Sequence, residues 1–199
     1  MSRVQKVLTL VLWSLLVVAV GALAAVWSLQ RAKPKLDKFF EVPQFSLTDQ
    51  DGKSFTNESV AGKVWIANYV FTRCAGPCPT MTAEFARLAQ SIPHPDVRFV
   101  SFSVDPEHDT PAVLKEYAGR FGADHSRWTF VTGDKSQIFR LATDGMKIAA
   151  LPADANNVII HSEKFVLIDR TGWIRGYYDL SDPDAMKKLP TDVRALASE

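Results

Sequence analysis

The only two cysteines of this 199-residue chain lie four positions apart, in the run Phe71-Thr72-Arg73-Cys74-Ala75-Gly76-Pro77-Cys78-Pro79. Three chemistries compete for such a pair: a structural disulfide, thiol–disulfide exchange and metal binding. A structural bridge here would close a loop of a few residues, and the stabilisation from a disulfide falls as its loop shortens. Thiol oxidoreductases typically space their cysteines C-x-x-C. The extra residue gives this loop room to turn both sulfurs toward one ion. Two thiolates are soft ligands suited to Cu(I), and a nearby imidazole adds affinity for Cu(II). A metal site would therefore want a third ligand. Of the four histidines, His94 lies between Pro93 and Pro95, His108 stands before a helix and His125 falls in a loop. These three read as solvated. His161 differs, because it directly precedes an apolar strand near the end of the fold. Met81 offers a thioether three residues after Cys78 but reads as core packing.

The elements around the cysteines must present them. Residues 64–71 form a mostly apolar run, expected as a central strand buried on both faces. From Pro79 to about Gln90 the spacing of Met81, Phe85, Leu88 and Ala89 predicts a helix. The end of a central strand before a helix N-terminus is where open α/β sheets hold their sites. A helix N-terminus also favours thiolate over thiol. Residues 97–104 predict a second strand beside the first and pointing the same way. Asp105, at its end, is thus a candidate neighbour of the metal ligands; the plainer alternative is that Asp105-Pro106 only opens a turn.

The alternation continues with a helix over 110–121, capped by Thr110 with Pro111 at its first position. A strand over 128–131, a helix over 136–143 and a loop over 145–157 follow. Hairpins are expected around residues 48–52 and around Asp169-Arg170-Thr171-Gly172, the second joining strands 164–168 and 173–177. A last helix within 183–197 is expected to break near Pro190. The order describes an α/β sandwich on a mixed sheet.

Lys and Arg number 23 against 22 Asp and Glu, so the chain lacks the basic excess that a nucleic-acid binder needs. Residues 7–29 carry no charge, and 23 residues suffice for a helix to cross the roughly 30 Å hydrocarbon core of a bilayer. Arg3, Lys6 and Ala22-Leu23-Ala24 resemble a cleavable signal peptide, yet the run exceeds the usual apolar stretch of about 7–15 residues. An uncleaved anchor over 1–29 is expected, then a linker over 30–42 and a globular domain over 43–199. Arg31, Lys33 and Lys35 balance Arg3 and Lys6, so flanking charge does not orient the helix. An N-terminal anchor of this kind usually acts as an export signal. That places the domain outside a bacterial inner membrane, on the periplasmic side.

Phe71-Thr72-x-Cys74-x-x-x-Cys78-Pro79, then Ser103-Val104-Asp105-Pro106 with Asp109-Thr110-Pro111, then His161 before Phe165-Val166-Leu167-Ile168-Asp169, resemble the SCO/SenC family. The resemblance runs from about Pro43 to about Met186 and implies a thioredoxin-like fold with an N-terminal β-hairpin behind one transmembrane helix. It implies a copper-binding protein that assembles the CuA site of cytochrome c oxidase. Copper ligands carried over residue by residue fall on Cys74, Cys78 and His161, with Cys74 and Cys78 also forming a redox-active disulfide. Where redox members of the thioredoxin-like group carry a proline, this chain has Ser162, and His161 beside it would face the cysteines. The chain departs from the family in Ala75-Gly76, where Pro-Asp is common, and in Ile160, where an acid often precedes the histidine. The resemblance implies a metallochaperone rather than an enzyme. The alternatives are a thiol–disulfide reductase that keeps the oxidase copper-site cysteines reduced, or a thiol peroxidase using Thr72.

Overall fold

A computed structural model describes residues 2–30, 36–152 and 159–199. The chain divides into two compact units, residues 1–35 and 36–199. The first is helix α1 (Arg3–Gln30), 28 residues long with no acidic residue in its first turn. Its stretch Arg3–Leu23 is long and apolar enough to cross a membrane, and none of it is buried.

The second unit is built on strands β1 (Ser46–Asp49), β2 (Ser54–Thr56), β3 (Val64–Val70), β4 (Val97–Ser103), β5 (Trp128–Thr132), β6 (Ala150–Leu151), β7 (Ile160–His161), β8 (Lys164–Ile168) and β9 (Ile174–Asp179). Helices α2 (Cys78–Ser91), α3 (Pro111–Arg120), α4 (Lys135–Arg140) and α5 (Pro183–Ala197) pack on them. Seven strands form one mixed sheet in the order β2-β1-β5-β4-β3-β8-β9, and β6 pairs with β7 apart from it. Strands β3, β4 and β5 run parallel, while β8 is antiparallel to β3 and β9 to β8. This is the expected mixed α/β sandwich with its N-terminal hairpin.

Every residue of β3 is buried, because helices and loops cover both faces of the sheet. Val64 and Ile66 join Met81, Phe85 and Leu88 of α2 in one core, with Phe99, Phe165, Leu167 and residues of α3 and α5. Trp65, Ala67 and Tyr69 point the other way, into a second core with Phe45, Leu47, Phe102, Ile138 and Val166. The period-2 alternation of β3 thus supplies both layers.

Several elements differ from the sequence expectation. Helix α2 starts at Cys78 itself, which puts that thiol in the first helical turn. Helix α4 is short and passes into a π-helical turn over Leu141–Gly145. The expected 145–157 loop contains β6; its residues 153–157 lie outside the described residues. Helix α5 runs through Pro190, because Leu189, Val193 and Leu196 are buried on one face and Tyr178 donates to Asp192 at 2.6 Å. That packing outweighs the cost of about 3 kcal/mol for an interior proline. The Asp169–Gly172 hairpin stands as expected, with Asp169 Oδ1 accepting from the Thr171 and Trp173 N–H groups.

The segment expected as the end of a linker is part of the folded unit. Leu36 and Val42 are buried. The Phe39 N–H donates to the Ile174 carbonyl (3.0 Å), Ile174 donates to the Phe40 carbonyl (2.8 Å), and Val42 donates to Gly172 (2.9 Å). The buried Arg175 guanidinium holds the Leu36 and Asp37 carbonyls and pairs with Asp169. Pro34 and the local charges discourage helix, but they do not prevent extended pairing at a sheet edge.

Phe85 anchors α2 to the sheet, with ring centroids 5.1 Å from Phe99, 5.4 Å from Trp128 and 5.1 Å from Phe165. Phe85→Ala is expected to cost about 3–5 kcal/mol in urea unfolding; a loss below about 1 kcal/mol would show that this helix is not seated on that cluster.

Candidate metal centre

The parallel pair β3/β4 brings two strand ends to one edge of the sheet. The Val104 N–H donates to the Val70 carbonyl at 2.9 Å, which ties the two exits together. From β3 the chain passes Phe71, makes a short loop and enters α2. Pro77 occupies the position before the helix, and no side chain caps it. The Cys74 N–H donates back to the Phe71 carbonyl at 3.3 Å, which curls the loop. Gly76 lies close under the Cys74 sulfur: a Cβ there would sit 3.9 Å from Sγ.

Strand β7 delivers the third group. His161 pairs with Ala150 across the small hairpin and lies three residues before β8. Its Nδ1 is 3.2 Å from the Ser162 carbonyl. That bond assigns the ring proton to Nδ1 and leaves the Nε2 lone pair facing Cys78 Sγ at 3.1 Å. Phe71 stands edge-on to the imidazole, 5.7 Å between centroids, and walls its other side. Ligand atoms of Cys74, Cys78 and His161 all lie within 4.8 Å of one another. Both cysteines are free; Cys78 is buried and Cys74 is half-buried.

Electrostatics here run against the expectation of a thiolate favoured by the helix terminus. Burial drives the Cys78 thiol far above its ordinary range, and the hydrogen bond that its S–H donates to Cys74 raises it further. Burial likewise lowers the His161 imidazole, against the opposing bond to Ser162. In the ion-free centre burial therefore favours the neutral forms of Cys78 and His161. A cation entering it would displace protons and supply the charge that stabilises thiolate. Two sulfurs and one imidazole nitrogen form a donor set for a soft ion.

Two aspartates brace the loop from the β4–α3 connection. Asp109 is fully buried; it accepts from the Thr72 N–H at 3.1 Å, from the Thr72 hydroxyl and from Ser103 Oγ at 2.6 Å. Asp105 pairs with Arg73, at 2.6 Å to Nη2 and 3.0 Å to Nε. Asp105 thus reaches the centre through the residue before Cys74 and not through a sulfur. Sequence reasoning carried Asp109 only as part of a motif, because a buried acid and a helix-capping turn look the same in one chain. Asp105, His108 and Asp109 also converge within 4.8 Å, but both carboxylates are already satisfied by Arg73, Thr72 and Ser103. His125 is exposed, and His94 accepts from the Asp96 N–H at 3.1 Å; neither belongs to the centre. Met81 is buried in the α2 core.

The family model SCO1/SenC matches residues 34–197. An SCO1 protein homolog of Bacillus subtilis is 34% identical over 162 residues, covering 80% of this chain and 84% of its own. The solved structure of BsSco, a member of the Sco family of cytochrome c oxidase assembly proteins with a disulfide switch, superposes with a TM-score of 0.73 at 33% identity, over 82% of this chain and 98% of that one. Bradyrhizobium japonicum ScoI, solved with copper bound, gives a TM-score of 0.62 at 27% identity, over 79% of this chain and 99% of that one. With the family pattern matched across the whole folded unit, and the fold shared with these structures, this chain belongs to the SCO1/SenC family.

Proposed function

We propose that this protein is a membrane-anchored copper metallochaperone that carries copper on Cys74, Cys78 and His161 and delivers it to the CuA site of cytochrome c oxidase. The convergence of two sulfurs and an unprotonated imidazole nitrogen within 4.8 Å carries the reading. The copper-bound relative and the oxidase-assembly relative support it. In this reading α1 anchors the chain in a bacterial inner membrane, and the domain from Leu36 works on the extracytoplasmic side.

Transfer proceeds by ligand exchange. Cys74 is half-buried and Cys78 fully buried, so an incoming thiolate of the target replaces Cys74 first and Cys78 later. Oxidation of the pair to a disulfide removes both thiolates and with them the site, which ties loading to redox state. A reductase acting on the oxidase cysteines is the second reading, favoured by the adjacent free thiols. The thiol peroxidase reading is disfavoured, because the Thr72 hydroxyl is committed to Asp109.

The reduced protein is expected to bind one Cu(I) per chain, measured by competition with a chromophoric chelator. Cys74→Ala and Cys78→Ala should each abolish tight binding. A single mutant with full affinity would refute the two-thiolate site.

His161→Ala should lose Cu(II) affinity by about 100-fold or more, because losing an imidazole harms Cu(II) more than thiolate-held Cu(I). It should also fail to support oxidase assembly. Normal assembly by this mutant, with failure of Cys74→Ser, would favour the reductase.

With α1 as an uncleaved anchor, the mature chain should begin near Met1 and stay with membranes after a carbonate wash. A soluble product starting just after Ala24 would show that α1 is a cleaved signal.

A further inference from the structure

Outside α1, the described residues expose three large hydrophobic side chains: Phe39 (44%), Phe40 (46%) and Leu151 (56%). Single exposed hydrophobics are normal, but a contiguous group marks an interaction site. Phe39 and Phe40 flank one cavity that reaches Ser162, and Leu151 lies in the strand paired with that of His161. Phe39 stacks edge-on against Tyr177 at 5.7 Å, and Phe40 and Tyr177 line this cavity of about 420 Å³. Leu151 pairs with Ile160, the neighbour of His161. Ser162 also lines the cavity, and its carbonyl is the one that orients the His161 ring. An occupant of the cavity would therefore sit within one residue of the metal-facing imidazole.

The cavity has a charge sign. Lys147 and Lys164 line it, and no carboxylate does among the described residues. Among the described residues neither ammonium has an ion-pair partner within 4 Å. Lys147 lies 5.4 Å from the centre of the Phe40 ring. Asp179, opposite Lys164 across β8 and β9, accepts from the Ser181 N–H and hydroxyl and also feels the Lys164 charge, at no ion-pair distance. Lys147 has φ of +54°, a left-handed conformation uncommon in a residue with a side chain. The edge beside the cavity is open only past Ile174. Residues 39–42 pair with residues 172–174, and β9 is the last strand of the sheet, with no further strand partner beyond Ile174 among the described residues.

Resting on the chaperone reading above, we propose that this cavity and its aromatic rim dock an extended acidic segment, bearing an apolar side chain, of the protein that receives the copper. The open edge of β9 offers backbone hydrogen bonds to an extended chain, and the aromatic pocket takes one side chain. The two lysines attract carboxylates and fix the register. Docking there would hold the target's copper loop next to His161.

The test uses the full chain in neutral phosphatidylcholine nanodiscs and the copper-free soluble domain of the CuA-bearing subunit of the same cell's oxidase. Wild type is expected to bind it with an affinity that falls as salt rises. The double variant Lys147→Glu/Lys164→Glu and, separately, Phe40→Ala should each weaken binding by about 10-fold or more while still taking up one Cu(I). Amides of residues 39–40 and 147–149 should gain protection from hydrogen exchange when the subunit is added. No binding by wild type, or binding that both variants leave unchanged, overturns the docking site; copper transfer persisting in the latter case leaves the chaperone reading intact. Binding weakened as expected but without copper transfer supports the docking site and refutes the chaperone reading. Protection gained from anionic phosphatidylglycerol in the nanodisc, with none added by the subunit, overturns the proposal in favour of a lipid surface.

Discussion

The contact between Cys78 Sγ and His161 Nε2, 3.1 Å long and mostly buried, is the constraint on which the rest of the folded unit depends. The two residues are 83 positions apart in sequence, so no local structure can bring them together. The sheet does so. Strand β3 pairs with β8, and the antiparallel direction puts the end of β3 and the start of β8 at the same edge. Helix α2 must then begin directly at the exit of β3, and the seating of Phe85 against Phe99, Trp128 and Phe165 fixes its position. A shift of one residue in the β3/β8 register would turn the core faces inside out. The hydrophobic alternation that holds the core therefore also holds the site.

The loop between β3 and α2 carries the remaining freedom, and the β4–α3 connection removes much of it. Thr72 and Arg73, the two residues before Cys74, are each tied to an aspartate of that connection. The Thr72 bonds end on a fully buried carboxylate, where a hydrogen bond to a charged acceptor is worth about 1.5–3 kcal/mol. The Arg73 pair is half open to water on the arginine side, so its contribution is smaller. Beyond Arg73 the loop reads Ala75-Gly76, with no side chain that could reach a partner by charge. Cys74 is therefore held from one side only, while Cys78 is fixed within a helix.

Much of this arrangement is legible in the sequence because it rests on strong local signals. The uniform apolar run of β3, the spacing of α2 and the Thr110-Pro111 cap each point to one element, and each forms within a residue or two of its expected bounds. Elements decided by tertiary contact were not legible. Leu36 to Val42 pairs with a strand end over 130 residues away in sequence, through Arg175. Pro190 is carried inside α5 because the buried face around it outweighs its local penalty. The two-residue β6 has no periodicity to detect. At the centre, residue types and the family resemblance point to Cys74, Cys78 and His161, and the fold brings their ligand atoms within 4.8 Å of one another. The buried role of Asp109 did not follow, because the groups that donate to it come from β4 and the cysteine loop.

In the chaperone reading proposed above, a carrier of copper must bind firmly and still let go, and the asymmetry of the two thiols suits both needs. If both sulfurs were buried like Cys78, a target thiolate could reach the ion only by opening the core. If both were exposed, water and competing thiols would strip the ion as easily as the target does. Here the neutral, desolvated pair Cys78–His161 gives a floor that is costly to charge without a cation. Half-exposed Cys74, on a loop tethered at one end, gives a position where ligands can exchange without moving the sheet. In that reading release begins with the movement of one loop, before the buried Cys78 is replaced, so transfer starts with the partner that reaches Cys74 and specificity lies in the surface around it.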